Sequence, residues 1–413
     1  MVDKNKIFKF IGIAILVCAV IVFCVYSLQK SDFSEKTASI PDQTLDLPDQ
    51  TSVPPVQNSD INIAEGPFIT ALTENAVIIS WQTDVDTIGK IEYGIDGNYS
   101  NVVTECEDGL AAVNKHHIVI INGLRPGTTY NYRTVCTEVK SLEKDNIMLG
   151  NTAIGADYSF TTHSTADDDY SFCFITDTHE YTKRITRPLS LVPQDYSFVV
   201  HGGDAFAQIQ TTREINYALI EPCVETFAKF KPLYFVRGNH EYRGTYPDKL
   251  LEYLPTLTGE WYYSFRKGDS AYTVIDTGIS VDDSDQRYGG LIQSTEYRHN
   301  QFNRAKEQFK SDEWTTAPMR IVFAHIPFMT NKENTDPVGG TQAWTDLMND
   351  AGVKLVISGH RHIYRLDLPD EEKNYHHLIV GQNQIARVEI KDKAATVTTY
   401  EFDGEIVETF TVY

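Results

Sequence analysis

Basic residues are scarce in this chain. Its 413 residues include 36 Lys and Arg against 57 Asp and Glu, which gives a formal net charge of −21 at pH 7. Proteins that bind nucleic acids need a basic surface that neutralises phosphates. The composition therefore argues against a nucleic-acid partner, and no internal repeat points to a solenoid or other repeat architecture.

Cysteine is scarce too, and two of the six residues fall in an N-terminal apolar run. Cys106 and Cys136 are candidates for a disulfide in an exported protein, a pairing that the sequence leaves open. Cys173 and Cys223 are expected to be buried free thiols. None of the six lies in a candidate ligand motif, which excludes the thiolate ligands typical of structural zinc sites.

One long apolar run stands at the N-terminus, at residues 10–28, after Lys4, Lys6 and Lys9. An uncharged run of about 19 residues is long enough for one helical span, and its basic flank should stay inside. A cleaved signal is the alternative, although no good Ala-x-Ala site follows the run. We therefore predict an N-terminal transmembrane anchor in residues 1–28, with the rest of the chain extracellular, or secreted if the segment is cleaved.

Large apolar residues are few between residues 29 and 60, where Ser, Thr, Asp, Gln and Pro dominate. Such a composition cannot bury enough apolar surface to fold and predicts a disordered linker. Residues 61–165 have a different pattern, with short strand-like segments separated by turns. These segments are Ala76 to Trp81, Lys90 to Tyr93, His117 to Ile121 and Thr129 to Val135. Their spacing predicts an all-β sandwich of about a hundred residues.

Five segments further along the chain each end an apolar, β-branched run with residue types that bind metals. They are Asp177 to His179, Gly203-Asp204, Gly238-Asn239-His240-Glu241, His325, and Gly359-His360-Arg361-His362. All five follow predicted strands, and open α/β sheets place their ligands at the carboxyl ends of strands. Three helical segments would cover the sheet: Thr212 to Lys229, divided or kinked at Pro222, Thr295 to Lys310, and Thr341 to Asn349.

The mixture of residue types suits two neighbouring cations. A carboxylate serves two ions at once, and Asp204 is the candidate for that bridge. Asp177 and His179 stand at i and i+2, which on an extended chain turns both side chains to one face. His360 and His362 repeat this spacing, and Asn239 and His325 complete an N/O set suited to Fe, Mn, Zn or similar ions.

In this order the motifs resemble those of the calcineurin-like metallophosphoesterase superfamily, which read D-x-[HG], GD, GNH[ED], H and GH-x-H. The resemblance covers residues 166–413 and implies two metal ions, Fe, Mn or Zn and possibly mixed. It places Asp177, His179, Asp204 and His362 on one ion, and Asp204, Asn239, His325 and His360 on the other. It also implies attack on phosphorus by a metal-bridging hydroxide, with His240 as the general acid.

The N-terminal segment narrows the resemblance to a branch. The stretch from Gly123 to Arg133, together with Trp81, is similar to the fibronectin type III-like domain of purple acid phosphatases. The chain departs from that branch because Ala207 stands where those enzymes carry a metal-bound Tyr, and His179 stands where they have Gly. The expected fold is thus an α/β metallophosphoesterase β-sandwich flanked by helices, preceded by a fibronectin type III-like sandwich and a transmembrane helix.

The resemblance implies a hydrolase of small phosphate esters outside the membrane, a phosphomonoesterase of the acid phosphatase type. A phosphodiesterase or nucleotidase is the alternative, and a cell-surface binding protein with a vestigial metal site is the alternative from another class. Substrate-binding residues and protein partners are not predicted. The aromatic segments Tyr242 to Gly268 and Asp282 to Glu296 are expected to form the pocket walls, although core packing is the commoner role for such side chains.

Other polar residues near the motifs have simpler interpretations. His201, His376 and His377 are interpreted as strand residues or as residues behind the ligands. For Glu241 and Arg243, contact with His240 or phosphate is one interpretation, and surface ion pairing is at least as common.

Overall fold

A computed structural model describes residues 61–144, 146–164, 166, 169–281, 283–328 and 340–413. The predicted membrane segment and linker lie outside these ranges. All described residues fall within one compact unit, 55–413. No described helix is both long and apolar enough to cross a membrane.

The N-terminal part is all-β, as predicted. Its strands are β1 (Ile63–Leu72), β2 (Ala76–Gly94), β3 (Asn101–Thr104), β4 (Cys106–Glu107), β5 (Leu110–Ala111), β6 (Val113–Asn122), β7 (Thr129–Glu143), β8 (Asn146–Ile154) and β9 (Tyr158–Thr161). The long β2 joins two of the predicted strands, because its first half pairs with β1 and β6 and its second half with β3 and β7. The register shifts between Gln82 and Thr87, where pairing passes from one group to the other.

The C-terminal part contains two six-stranded mixed sheets. Its strands are β10 (Tyr170–Ile175), β11 (Phe198–His201), β12 (Leu233–Phe235), β13 (Tyr263–Lys267), β14 (Ser270–Ile275), β15 (Met319–Ala324), β16 (Leu355–Ser358), β17 (Arg365–Asp367), β18 (His376–Ile379), β19 (Ile385–Lys391), β20 (Ala394–Tyr400) and β21 (Ile406–Val412). The first sheet has the order β12-β11-β10-β19-β20-β21, and the second β13-β14-β15-β16-β18-β17. Strands β10 to β12 are parallel, and so are β14, β15, β16 and β18.

An apolar layer lies between the two sheets. Phe172 and Phe198 of the first sheet pack against Tyr272 and Phe323 of the second, with ring centroids 5.5 to 5.7 Å apart across the layer. Buried aromatic pairs of this kind contribute about 0.5–1.5 kcal/mol beyond the area that they bury. The predicted β-sandwich is therefore confirmed for the C-terminal part.

Helices cover both outer faces of the sandwich. The α-helices are α1 (Lys183–Leu191), α2 (Thr212–Ile215), α3 (Glu221–Thr226), α4 (Leu250–Tyr253), α5 (Ser294–Gln308), α6 (Asp312–Thr315) and α7 (Thr341–Asp350). A π-helical turn, Asn216–Ile220, links α2 to α3, and Pro222 opens α3. Proline has no N–H to donate and fits the first helical turn, so it divides the predicted helix as expected. Short 3₁₀ turns lie at His240–Tyr242, Pro247–Lys249 and Gln286–Tyr288.

Hydrogen bonds join the N-terminal sheet to the rest of the unit. The Tyr234 hydroxyl donates to the Leu72 carbonyl at 2.5 Å, and the Tyr132 hydroxyl donates to the Lys229 carbonyl at 2.7 Å. The four cysteines that the structure describes are free, so Cys106 and Cys136 form no disulfide here. Cys136 is buried and accepts a hydrogen bond from the Trp81 indole instead, while Cys173 and Cys223 are buried as predicted.

Candidate metal centre

The five motifs lie at the carboxyl ends of strands, as predicted. Asp177 comes two residues after β10, Asp204 three residues after β11, and His325 directly after β15. Asn239 follows β12, and His360 follows β16. Since the strands of each group run parallel, these ends meet at one edge of each sheet.

The backbone at the two paired motifs is not extended. Asp177 and His179 have φ angles of 54° and 44°, and His360 and His362 have 69° and 60°. All four lie in the left-handed region, so the expectation of an extended chain was wrong, although each pair does converge. Non-glycine residues adopt this conformation at a cost, and Asp and His tolerate it better than most. Asp204, with φ 54°, shares it.

Glycines let the turns approach one another closely. A Cβ atom at Gly238 would lie 2.3 Å from Asp204 Oδ1, and one at Gly359 would lie 2.5 Å from Asp177 Oδ2. Gly203 adopts φ 92°, which disfavours any side chain there. Glycine is therefore required at these three positions, as the sequence indicated.

Six of the seven predicted ligands, together with His240, form three overlapping groups. The groups are Asp177, His179 and His362; His179, Asp204 and His240; and Asp204, His325 and His360, each with ligand atoms within 4.8 Å of one another. Asp204 and His179 each belong to two groups. The seventh predicted ligand, Asn239, directly follows Gly238, which lies against Asp204 Oδ1. The structure thus brings the predicted residues to one place.

Several buried ligand atoms at this place make no hydrogen bond. They are Asp177 Oδ1, Asn239 Oδ1 and His325 Nε2. The His325 Nδ1–H donates to the Gly202 carbonyl at 2.8 Å, which directs Nε2 to within 3.1 Å of Asp204 Oδ2; a metal ion bound there would take the place of a proton on Nε2. A buried polar atom without a partner costs about 1–3 kcal/mol. Converging oxygen and imidazole atoms of this kind fit a bound metal ion, since metal bonds would satisfy them.

Both central carboxyl groups are held as carboxylates. Burial opposes ionisation of Asp204, but the neighbouring His325 lowers the pKa of this carboxyl well below its usual range. Burial likewise opposes ionisation of Asp177, while contact with His362, 3.2 Å away, lowers its pKa overall. The Asp177 Oδ2 atom also accepts the His360 N–H at 2.9 Å, so the first and last motifs are joined directly.

His240 lies at the rim of this centre. Its amide N–H donates to Asp204 Oδ1 at 2.9 Å, and its Nε2 lies 3.9 Å from Asp204 Oδ2. The Nδ1–H donates to the Ala207 carbonyl at 2.9 Å, which turns Nε2 towards the centre. Burial lowers the pKa of His240, and the Arg243 guanidinium contributes in the same direction.

Glu241 is fully buried, so the interpretation as a surface ion pair was wrong for this residue. Its two carboxyl oxygens accept three backbone N–H groups, from Asp204 at 2.9 Å, Ala205 at 2.7 Å and Gly238 at 2.6 Å. Burial raises the pKa of Glu241 to about 7, against the lowering effect of these donors. This side chain ties the Asp204 loop to the Asn239 turn.

Sequence reasoning missed a second buried anchor, Asp276, which follows β14 directly. Its Oδ2 accepts hydrogen bonds from Arg237 Nε at 2.6 Å, the Tyr242 hydroxyl at 3.0 Å and the Tyr297 hydroxyl at 3.1 Å. Its Oδ1 accepts the Gly278 N–H at 2.9 Å. The run before Asp276 has the same apolar pattern as those before the ligands, so a signal was present. With both oxygens occupied, Asp276 holds the turn that carries Asn239 through Arg237 and Tyr242.

Other residues near the motifs serve packing. His201 is buried; its Nδ1 accepts the Gly203 N–H at 3.2 Å, and its Nε2 lies 3.0 Å from the Thr178 hydroxyl. His377 contacts the Ser358 hydroxyl at 2.9 Å inside the second sheet, and His376 lies on β18 beside it.

Among the aromatic residues expected to form the pocket walls, Trp261 and Tyr288 are buried, and Tyr263 makes a hydrogen bond with the backbone of Phe235. Tyr242 takes part in the Arg237 cluster, whereas Tyr246 is 39 % exposed and Tyr262 lies over Arg304.

Comparisons with known proteins agree with this geometry. Residues 170–364 match the family model described as calcineurin-like phosphoesterase. The purple acid phosphatase of yellow lupin (Lupinus luteus) seeds is 15 % identical with a TM-score of 0.59, and the match covers 84 % of this chain and 73 % of that one. PhoD is 12 % identical with a TM-score of 0.56, and the match covers 84 % of this chain and 93 % of PhoD. At such identities the likeness concerns the fold alone. A search of curated proteins finds no match.

Proposed function

Residues 170–364 belong to the calcineurin-like phosphoesterases, so the chain is a metal-dependent phosphoesterase, and on this premise we propose that it hydrolyses small phosphate monoesters with two metal ions. The observation that carries the proposal is the set of three overlapping ligand groups that share Asp204 and His179. A shared carboxylate at the centre of two groups suits two cations.

The donor set fits the proposed ions. One would be held by Asp177, His179, Asp204 and His362, and the other by Asp204, Asn239, His325 and His360. Imidazole, carboxylate and amide ligands without sulfur suit Fe, Mn or Zn. When bound, such ions lower the pKa of water and offset the charge of phosphoryl oxygens.

Side chains of the protein would hold the ligands in position and protonate the leaving oxygen of the substrate. In the metal-free protein His325 and His362 lower the pKa values of the Asp204 and Asp177 carboxyl groups, and bound cations would take over this stabilisation. His240, held by the Ala207 carbonyl, presents Nε2 towards the centre, where a proton on that nitrogen can pass to the leaving oxygen. A well-placed general acid contributes about 10²- to 10⁴-fold to the rate. Glu241 and Asp276 keep the Asp204 and Asn239 loops in register behind it.

The proposal extends to location and domain organisation. Residues 1–28 would anchor the chain in a membrane, residues 29–60 would act as a linker, and the catalytic part, 166–413, would face the outside. Residues 61–165 would form a fibronectin type III-like domain. The composition of the first sixty residues and the all-β structure of the N-terminal sheet support this arrangement. A phosphodiesterase or nucleotidase uses the same kind of site and is the second candidate, whereas the complete ligand set argues against a vestigial binding protein.

Turnover by the purified full-length protein tests the proposal. The protein would be loaded in turn with Mn, Fe, Zn and Mg and assayed on para-nitrophenyl phosphate and bis-para-nitrophenyl phosphate. We expect faster hydrolysis of the monoester, lost in Asp204→Ala together with bound metal. In His240→Ala, metal content should persist while turnover falls at least about tenfold. Preferential hydrolysis of the diester would favour the second candidate, and unchanged turnover in His240→Ala would rule out the general-acid role.

A further inference from the structure

Arg243 is a cation at the rim of the metal centre without a carboxylate partner. Among the residues that the structure describes, no Asp or Glu side chain lies within ion-pair distance of its guanidinium. Its side chain is half-buried, so solvent compensates its charge only in part. The interpretation as a surface ion pair was therefore wrong for this residue as well. A cation of this kind, beside the candidate metal centre, is available to bind an anion.

The contact between Arg243 and His240 leaves most of the guanidinium available. The Arg243 Nη1 atom lies 2.8 Å from His240 Nε2 and 3.0 Å from His240 Nδ1. The in-plane directions of the two ring nitrogens diverge, so an atom at nearly equal distance from both lies against the ring rather than along either direction. Nδ1 is in any case engaged with the Ala207 carbonyl. One Nη1–H group of the guanidinium points at the His240 ring, and among the described residues its other N–H groups have no hydrogen-bond acceptor, so they are available to donate.

The backbone fixes Arg243 relative to the centre. Its N–H donates to the His240 carbonyl at 3.0 Å, and its carbonyl accepts the Ile209 N–H at 2.8 Å. The His240 ring that it contacts has Nε2 only 3.9 Å from Oδ2 of Asp204, the carboxylate shared between two candidate ligand groups. A phosphoryl group bound beside Asp204 would thus lie within reach of the guanidinium. Arginine is suited to this contact because its planar N–H groups match two phosphate oxygens at once.

We propose that Arg243 binds a non-bridging oxygen of the substrate's phosphoryl group and thereby favours phosphomonoesters over phosphodiesters. A monoester presents two negative charges and three non-bridging oxygens, whereas a diester presents one charge and two such oxygens. A second ester group in place of one of these oxygens removes an acceptor for Arg243. This inference rests on the proposed function, and in it Arg243 sets the preference of the enzyme for phosphomonoesters.

The test compares Arg243→Gln and Arg243→Lys with the wild-type protein, all full-length and loaded with Mn²⁺. Bound metal is measured first by elemental analysis. The affinity for orthophosphate is then measured by calorimetry, and kcat/KM is measured for para-nitrophenyl phosphate and for bis-para-nitrophenyl phosphate. A matched control is Arg133→Gln, because Arg133 is also partly exposed, at 29 %, and pairs with Glu92 in the N-terminal sheet.

We expect Arg243→Gln to retain its metal, to bind orthophosphate about 10- to 100-fold more weakly, and to lose a similar factor in kcat/KM on the monoester. The loss on the diester should be about threefold or less, Arg243→Lys should recover part of the affinity, and the control should not change. Unchanged orthophosphate affinity at full metal content would overturn the proposal, as would equal losses on both esters. Because orthophosphate binding needs no turnover, it tests Arg243 even if the proposed monoesterase activity fails.

Discussion

Removal of the Glu241 carboxylate should loosen the connection between two ligand loops. One oxygen accepts the Ala205 N–H at 2.7 Å, and the other accepts the N–H groups of Asp204 and Gly238 at 2.9 and 2.6 Å. In Glu241→Gln the amide offers only one acceptor oxygen. The better of its two orientations keeps the Asp204 and Gly238 bonds and places the NH₂ group against the Ala205 N–H. One buried donor is then unsatisfied.

The expected cost follows from the number of donors left without a partner. One buried unsatisfied N–H costs about 1–3 kcal/mol, so Glu241→Gln should lower the free energy of unfolding by that amount. Glu241→Ala leaves all three donors without their acceptor and should cost roughly two to three times as much, less any gain from water that enters the space. Individual contributions are not strictly additive among neighbours, so the order of the two variants is the firmer expectation.

Chemical denaturation of the full-length protein, followed by circular dichroism, measures these free energies. The matched control is Glu307→Gln, because the Glu307 side chain on α5 is 76 % exposed and pairs with Lys310 on the surface. Surface pairs of this kind contribute about 0–1 kcal/mol. If Glu241→Ala unfolded with the wild-type free energy, the three hydrogen bonds would not hold the loops, and the account of Glu241 would be refuted.

Three further perturbations probe other parts of the molecule. Asp276→Ala removes the buried carboxylate that pairs with the largely buried Arg237 guanidinium and should destabilise the fold by about 3–5 kcal/mol in chemical denaturation; a loss below 1 kcal/mol would contradict its role as an anchor. Gly359→Ala places a Cβ atom 2.2 Å from the Thr176 hydroxyl and 2.5 Å from Asp177 Oδ2. Because this clash displaces a candidate ligand, elemental analysis should find less bound metal than in the wild-type protein. Full metal occupancy would show that the turn can shift. Burial, with Glu221 nearby, raises the pKa of Glu65 from 4.5 to about 7. The protonated form is thus favoured in the folded state, and its stabilisation is fully present below pH 4.5 and lost as the pH rises through 7. Glu65→Gln should therefore flatten the fall in melting temperature between pH 4.5 and 7, and an unaltered pH profile would argue against this assignment.

The order of residue types along the chain was enough to predict that the candidate ligands come together. Each of the five motifs follows a buried strand, and a buried strand is recognisable from a short apolar, β-branched run. The rule that ligands gather at strand carboxyl ends then brings the motifs together without knowledge of the sheet order. The same rule applied to the run that ends at Ile275 would have indicated Asp276, which was missed because it matches none of the five motifs.

Local geometry was predicted less well. The i, i+2 spacing of Asp177 and His179 suggested an extended chain, yet both residues are left-handed, as are His360 and His362. The interactions that stabilise this conformation, such as the His360 N–H on Asp177 Oδ2, join residues more than 180 positions apart in the chain. A pattern of neighbours in sequence carries no information about such a contact.

The amino-acid sequence by itself determined the class of fold, the identity of the candidate ligands and the strands that deliver them, because these depend on residue type and on periodicity along the chain. Only the tertiary structure decided the roles of Glu241, Arg243 and Asp276. All three are charged residues, and residue type alone does not distinguish them from surface residues. Glu241 and Asp276 are anchors because they are buried and accept hydrogen bonds from the loops around them. Arg243 contacts His240 and has no carboxylate partner among the described residues. The charge of a side chain is a property of the sequence, but its compensation depends on what the folded chain places around it.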